Sequence, residues 1–234
     1  MKKKILAISL VVALLAIAIV GGSLAWFTAE DEVTNTFTVG SIEIQQNEKD
    51  ENGNDFVQDQ VMLPIVKIDD PKSDDNYISK VVTVTNIGKN DAYLRTHIAV
   101  PAALVDYLHL ATRDQVQGNR WNFVYTGNAT VDGVEYAVFT YMYEISVAKD
   151  ETTDILLEGV YMDARVDIKL NDASGKQEFC MPNGDGTYTF SGFAVENSTK
   201  INVLVMTQAV QADGFENAQS ALDSAFGTGT NPLK

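Results

Sequence analysis

The chain has 234 residues and carries 32 acidic against 17 basic side chains, a formal net charge of −15 at pH 7. Such an acidic protein repels nucleic acid and anionic lipid, which excludes both as partners. The simplest explanation of the negative charge is that it keeps the protein soluble. The only cysteine is Cys180, so no internal disulfide can form, and its predicted role is that of a small buried side chain.

The first 25 residues have the pattern of a secretory signal peptide. Three lysines at residues 2–4 precede an apolar run over residues 5–20, and small residues then end in Ser23-Leu24-Ala25. We expect cleavage between Ala25 and Trp26. The protein would then be secreted and would contact the membrane only before cleavage. The alternative is an uncleaved anchor, but the apolar run is shorter than the roughly 20 residues that cross a bilayer.

The segment that follows the predicted cleavage site has the pattern of a strand. Alternate residues that share one face are Val33, Asn35, Phe37 and Val39. Cleavage would give this strand a free end that begins with Trp26 and Phe27. It could complete the molecule's own sheet or pair with an exposed sheet edge of a neighbour. The pattern alone favours completion of its own sheet.

Most of the remaining chain has the period-two pattern of strands, separated by turn-forming residues. The clearest predicted strands cover residues 33–44, 56–66, 77–86, 92–100, 121–125, 134–146, 152–170, 187–190 and 200–211. Residues 79–86 nearly alternate between polar and apolar, which is typical of a sandwich strand with one buried face. Glycine, asparagine and aspartate predict hairpins at residues 132–133 and 183–186.

Two short helices are predicted, over residues 101–110 and 215–226. Apolar residues recur in the second at a spacing of three to four, so it is expected to lie against a sheet. The predicted organisation is a signal peptide (1–25), an N-terminal strand (26–40), a β-sandwich domain (41–226) and a flexible tail (227–234). The fold class is therefore all-β, with one or two short helices.

No motif in the chain specifies catalysis. The two histidines, His97 and His109, lack the spacing of zinc ligands, and Cys180 stands in no recognisable nucleophile motif. We predict no catalytic, cofactor-binding or metal-binding residue. Calcium is the one metal for which the sequence offers a candidate segment, residues 50–55, where carboxylate and amide oxygens are concentrated. The glycine of this segment comes too early for an EF-hand.

Four blocks of sequence together resemble the TasA/camelysin family of exported proteins, which have a SipW-dependent type of signal peptide. The blocks are GGSLAWFT at residues 21–28, VTNTFTVG at 33–40, VTVTNIG with AYLR at 82–95, and QAVQADGF at 208–215. The resemblance implies a jelly-roll-like β-sandwich, processing by a dedicated signal peptidase, and secretion to the surface or extracellular matrix of a Gram-positive bacterium.

The same resemblance implies fibres. The segment after the cleavage site, here about residues 26–39, would be a donor strand that enters the next subunit head to tail. The residues that would serve in assembly are Trp26, Phe27, Val33, Asn35, Phe37 and Val39. The partner would be a second copy of the chain, with other matrix or surface proteins as further candidates.

The sequence and the resemblance leave three candidate functions for the protein. The first is a secreted structural subunit of biofilm-matrix or pilus-like fibres. The second, implied by camelysin, is a secreted metal-dependent endopeptidase, for which the sequence offers no zinc motif. The third is a cell-surface adhesin, which would need aromatic residues such as Trp121 and Tyr125 to line a groove, whereas their alternation predicts burial.

Overall fold

The computed structural model describes residues 28–32, 35–37, 42–196, 199–229 and 233. These residues are mostly β-sheet, with thirteen strands and one α-helix, so the all-β prediction is confirmed. The strands are β1 Thr28–Glu32, β2 Asn35–Phe37, β3 Ile44–Lys49, β4 Ile78–Asn86, β5 Ala92–Pro101, β6 Leu108–Thr112, β7 Trp121–Val131, β8 Val134–Tyr143, β9 Leu157–Met162, β10 Asp167–Asn171, β11 Lys176–Pro182, β12 Tyr188–Ala194 and β13 Leu204–Gln211; the helix is α1 Ala218–Phe226.

The strands form three antiparallel sheets. The large sheet has six strands in the order β2-β1-β13-β5-β8-β7, and the small sheet has four in the order β3-β4-β9-β6. A third sheet, β10-β11-β12, adds three more strands. The chain passes repeatedly between the large and small sheets, which is how β-sandwiches bring distant segments together.

The main hydrophobic core lies between the large and small sheets. Leu94 and Ile98 of β5 and Val82 and Val84 of β4 belong to one buried cluster, and each is fully buried. Trp121 at the start of β7 is fully buried in the same cluster, so its predicted burial is confirmed, whereas Tyr125 is half-buried. Because apolar faces of both sheets contribute, neither sheet is stable without the other.

The alternation predicted for residues 79–86 is confirmed in β4, where buried and half-buried residues alternate along the whole strand. The buried face also contains Lys80, which is 4% exposed. Its ammonium group pairs with the carboxylate of Glu48 on β3 and lies 4.2 Å from the centroid of the Phe56 ring. A buried charge is tolerated here because it is paired.

Helix α1 confirms the prediction for residues 215–226 and covers the outer face of the large sheet. Asn217 caps its start by accepting a hydrogen bond from the backbone N–H of Ser220 at 2.9 Å. Ala221 and Leu222 are fully buried against Val210 of β13. No helix among the described residues is long and apolar enough to cross a membrane.

The two predicted hairpins are confirmed. Asp132 and Gly133 both have positive φ between β7 and β8, as the tight turn of a two-residue hairpin requires. Gly184 and Gly186 have positive φ between β11 and β12. The prediction of one continuous strand over residues 152–170 was wrong. The chain forms two strands there, β9 and β10, which are separated by residues 163–166.

The strand predicted over residues 56–66 was wrong. This segment is a loop in which Val57, Val61 and Val66 are exposed by 69%, 78% and 81%. Its backbone is held from outside the segment: the Asp74 carboxylate accepts hydrogen bonds from the N–H groups of Val66 and Lys67, each at 2.6 Å. This side chain and isolated backbone bonds, such as that from the Ile65 N–H to the Met162 carbonyl at 3.1 Å, thus take the place of the predicted ladder.

The helix predicted over residues 101–110 was also wrong. The structure has a short 3-10 turn at Ala102–Leu104 and then strand β6, which pairs with β9. Strand β11 was not predicted either, since its pattern is less regular. The first predicted strand, residues 33–44, is replaced among the described residues by β1, β2 and β3. The predicted signal peptide, residues 1–25, lies outside the described residues.

Candidate assembly site

Strand β13 is the element to which the N-terminal strand pairs. Seven of its eight residues are buried. Val205 and Ala209 face the main core, while Met206 and Val210 pack on the opposite face of the sheet. A strand buried on both faces must have its backbone N–H and C=O groups paired along both edges, because unpaired buried groups are costly.

One edge of β13 is paired to β5 over eight residues, from Leu204 with Ala99 to Gln211 with Ala92. The other edge is paired to β1 over five residues, from Thr28 with Val210 to Glu32 with Met206. Strand β2 then pairs back on β1 as the outermost strand of the sheet. Strand β1 thus closes an edge that would otherwise be open along most of β13.

The contact between β1 and β13 is made by backbone. A ladder of this kind gives affinity without demanding particular side chains, and any strand of suitable length can provide it. Strand β1 reads Thr-Ala-Glu-Asp-Glu and includes three acids, Glu30, Asp31 and Glu32.

Gln46 of β3 bridges the two sheets beside this edge. Its amide nitrogen donates to the carbonyl oxygen of Val205 at 3.3 Å, and its amide oxygen accepts from the hydroxyl of Thr207 at 3.0 Å. The Thr207 hydroxyl also shares a hydrogen bond with that of Thr96 on β5 at 2.9 Å. These contacts fix β13 against β3 of the small sheet and β5 of the large sheet from the core side, independently of β1.

A buried polar network fixes β13 from its other face. The Gln208 side-chain oxygen accepts from the Arg95 guanidinium at 2.9 and 3.1 Å and from His97 Nε2 at 3.2 Å. Arg95 also donates to Asp223 of α1 at 3.0 Å. Because Nε2 donates, Nδ1 of a neutral imidazole accepts from the hydroxyl of Thr140 at 2.9 Å. Burial lowers the pKa of His97 to about 4, which keeps the ring neutral.

An apolar groove of about 590 Å³ continues from the start of β13. Its walls are residues 199–204 on one side and the loop at residues 56–62 on the other, and its floor includes the buried pair Lys80 and Glu48. An exposed ion pair at 2.8 Å joins Lys200 to Asp59 across it. Its volume lies within the range of roughly 300–1,000 Å³ typical of ligand clefts.

Two of the predicted donor-strand residues, Asn35 and Phe37, begin and end β2, where they pair with Glu32 and Glu30 of β1. The other four, Trp26, Phe27, Val33 and Val39, lie outside the described residues, as does Ala25 of the predicted cleavage site. The described parts of the predicted strand, β1 and β2, therefore lie at an edge of the chain's own sheet, which is the arrangement that the sequence pattern alone favoured.

Comparisons of the chain with protein-family models, with curated proteins and with solved structures gave no match.

The histidines lie apart. His97 is enclosed in the large sheet, whereas His109 is on β6 of the small sheet and is 41% exposed. His109 does have an acidic partner that the sequence did not indicate: its Nε2 lies 3.1 Å from the carboxylate of Asp163. Arg165, which also pairs with this carboxylate, holds the pKa of Asp163 well below its usual range. The described residues contain no cluster of three metal-ligating side chains.

The other candidate residues have structural contacts. Cys180 is fully buried, as predicted, and burial raises the pKa of its thiol. In the acidic segment at residues 50–55, the Asp50 carboxylate accepts from the backbone N–H groups of Asn52 and Asn54, each at 2.8 Å. This is the hydrogen bonding of an Asx turn, so the Asp50 carboxylate stabilises the turn.

Sequence reasoning found the candidate donor strand and missed its acceptor. Strand β13 itself was predicted, within residues 200–211, but its role as the acceptor was not. A signal for that role was present, because residues 201–209 have apolar residues on both faces, which is the pattern of a strand buried between two layers. Gln46 and the groove could not have been found, because each depends on segments far apart in sequence that meet only in the fold.

Proposed function

We propose that this protein is a secreted structural subunit that assembles with itself into extracellular fibres by exchange of its N-terminal strand. The observation that carries the proposal is the pairing of β1 with β13 at the edge of the large sheet. Strand β1 is bonded to β13 through its backbone, and it closely follows the predicted cleavage site. It precedes Ile42, the first buried core residue among those whose burial the structure describes.

A strand in this position can be exchanged between molecules at little cost. The β1 of a second molecule would make the same backbone hydrogen bonds to β13 that the molecule's own β1 makes. Since Gln46 and the Arg95–Gln208 network hold β13 in place independently of β1, the acceptor edge would persist when β1 leaves. Each molecule would offer one strand and one edge, so the contact is head to tail and extends without closing.

The order of strands supports the finer fold assignment implied by the TasA/camelysin resemblance. The neighbouring sets β13-β5-β8 and β4-β9-β6 follow the interleaved order of a jelly roll, and β1 fills the remaining position beside β13. In this proposal, signal cleavage at Ala25 frees the strand for exchange and so starts assembly. The fibres would lie at the surface or in the matrix outside the cell.

The test compares three forms of the chain by negative-stain electron microscopy: residues 26–234, the same chain without residues 26–39, and the full chain with its N-terminal segment intact. Only the first is expected to form filaments, at neutral or mildly acidic pH and with or without calcium. Circular dichroism establishes that each form is folded. A synthetic peptide of residues 26–39 should bind the shortened chain and should reduce filament growth of the first form by occupying β13.

Filaments of normal appearance from the chain without residues 26–39 would refute the proposal. A folded monomer from all three forms would also contradict it and would favour the endopeptidase or adhesin. Cleavage of casein, with and without a chelator, would then distinguish those two functions.

A further inference from the structure

We infer that on assembly residues 33–39 of one molecule leave the hairpin and continue along residues 199–205 of the next molecule, where they fill the apolar groove. The inference rests on the proposed function, because it requires β1 to pair with the β13 of another molecule. It identifies the occupant of the groove as a defined segment of a second copy of this chain.

The register of β1 on β13 leads directly to the groove. The pairs run from Thr28 with Val210 to Glu32 with Met206. The same antiparallel register, continued without a turn, places three alternate residues of the arriving strand opposite three alternate residues of the acceptor. The new pairs are Val33 with Val205, Asn35 with Val203, and Phe37 with Ile201.

The faces of the two segments match in this register. Ile201 and Val203 pack against the main core from the groove side, whereas Lys200 and Asn202 are exposed. Residues directly opposite each other in a sheet share a face. The alternating residues at positions 33, 35, 37 and 39 would therefore all face the groove and the core, and the intervening threonines would face solvent.

The β1–β2 hairpin in the structure gives residues 35–37 less favourable cross-strand neighbours than the proposed arrangement does. Within one molecule, the three residues of β2 are opposite three acids of β1, and Phe37 is opposite Glu30. In the proposed arrangement Phe37 is opposite Ile201, an aromatic residue against a β-branched one, which is among the favourable cross-strand combinations. Leaving the hairpin thus exchanges an acid neighbour for an apolar one.

A single molecule cannot adopt this arrangement, because its own chain is too short. Ile44 pairs with Asn86, whose amide donates to the carbonyl of Asn90, and the Asn90 amide donates to Gln211 at 3.0 Å. Ile44 thus lies at the Gln211 end of β13. From Leu204 to Gln211 the strand already spans about 23 Å at 3.3 Å per residue, and residue 199 lies further away.

The residue proposed to lie opposite Thr199 is Val39, which is five residues before Ile44. Five residues span at most about 18 Å. A molecule that paired its own Val39 with Thr199 could not return its chain to β3, so within one molecule the strand has to turn back as β2. A second molecule is free of this restriction, and the extended arrangement is available only between molecules.

Disulfide formation between two different molecules tests the register. In chains of residues 26–234 carrying Cys180→Ala, one variant has Asn35→Cys and the other Val203→Cys. Directly opposite residues have the spacing that a disulfide needs. Mixing the two variants under oxidising conditions should give covalent dimers. The matched control replaces the Val203→Cys variant by Lys200→Cys. Because residue 200 is three residues out of register with residue 35, this mixture should give few covalent dimers.

A second pair separates this inference from the proposed function. Asp31 is opposite Thr207 in the β1 register, so Asp31→Cys mixed with Thr207→Cys should cross-link whenever β1 is exchanged at all. If this pair links and the 35–203 pair does not, the inference is wrong and strand exchange stands. If neither pair links and no filaments form, the proposed function fails, and the inference fails with it. Thermal unfolding checks that each variant is folded.

A pair of charge substitutions gives an independent readout without cysteine. Phe37→Asp places a carboxylate opposite Ile201 in the groove and should abolish filaments. Thr36→Asp places the same charge opposite exposed Asn202 and should leave filaments intact. Equal filament formation by Phe37→Asp and Thr36→Asp would overturn the inference, since it would mean that residue 37 does not enter the groove.

Discussion

Gln46 and Val205 join the two sheets of the sandwich at the edge where the N-terminal strand pairs. The amide of Gln46 donates to the Val205 carbonyl at 3.3 Å and accepts from the Thr207 hydroxyl on the same strand. The contact therefore stabilises the acceptor strand in the absence of β1.

Replacing Gln46 should weaken the fold measurably. Gln46→Ala removes both hydrogen bonds to β13, and we expect the free energy of unfolding to fall by about 1–2 kcal/mol. The matched control is Gln45→Ala, since the neighbouring side chain is exposed. Urea unfolding of both variants measures the difference. If the two variants are equally stable, Gln46 does not hold β13.

Several features could be predicted from the sequence because they depend on local pattern. Alternation along β4 and the hairpin at Asp132 and Gly133 follow from residues that are adjacent in the chain. Helix α1 follows from apolar spacing and from a capping asparagine at Asn217. In each case the residues that determine the structure lie within the element itself.

The wrong predictions concern segments whose partners are distant in sequence. Residues 56–66 have the apolar content of a strand, but they form no ladder with one. Isolated bonds hold their backbone instead: Ile65 donates to the Met162 carbonyl of β9 at 3.1 Å, and Val66 donates to the Asp74 carboxylate at 2.6 Å. The 101–110 segment has helical spacing, but β9 pairs with its second half and makes it a strand. Tertiary contacts decide such segments, and a single sequence does not display them.

The buried ion pair of Lys80 and Glu48 should be sensitive to loss of one partner. The Lys80 side chain is 6% exposed and that of Glu48 is 12% exposed. Lys80→Met would leave the carboxylate without its counter-ion, and we expect a loss of about 3 kcal/mol in the free energy of unfolding. Because the Phe56 ring lies against the Lys80 ammonium group, the substitution should also loosen the loop at residues 56–62, which limited proteolysis would detect.

Two further variants establish that burial is the cause. Lys49 pairs with Asp55 on the exposed side of the same region, with side chains 40% and 92% exposed. Lys49→Met should therefore lower the free energy of unfolding by less than about 1 kcal/mol. The double variant Lys80→Met, Glu48→Leu replaces both charges by apolar groups and should recover most of the lost stability. A double variant as unstable as Lys80→Met alone would disprove this account.

Gly159 of β9 is predicted to reject any side chain. A Cβ there would lie 2.4 Å from the ring of Tyr77 and 2.6 Å from the backbone oxygen of Ile78. The ring could move, but the Ile78 oxygen belongs to the β4 strand beside it and could not. We expect Gly159→Ala to lower the free energy of unfolding by about 1–3 kcal/mol, as overpacking does. Gly127→Ala in β7 is the control, because its nearest contact would be an ordinary 3.8 Å.

His97 should make the fold sensitive to acid. Burial lowers its pKa from 6.5 to about 4, so the folded state resists a proton that the unfolded state accepts. The neutral imidazole therefore contributes fully to the free energy of unfolding above pH 6.5. This contribution falls as the pH drops toward 4 and is lost below that value. A shift of this size corresponds to a loss on the order of 3 kcal/mol over the interval. Urea unfolding between pH 7 and pH 4 measures it.

The carboxylates of the chain also titrate in acid, so the contribution of His97 must be obtained as a difference. His97→Gln retains a side chain that can donate to Gln208 and accept from Thr140, the two partners of the imidazole, and it does not titrate. The stability of the variant should therefore decline less steeply than that of the parent between pH 6.5 and pH 4. Parallel curves for the two proteins would mean that His97 takes up its proton in the folded state as readily as in the unfolded chain.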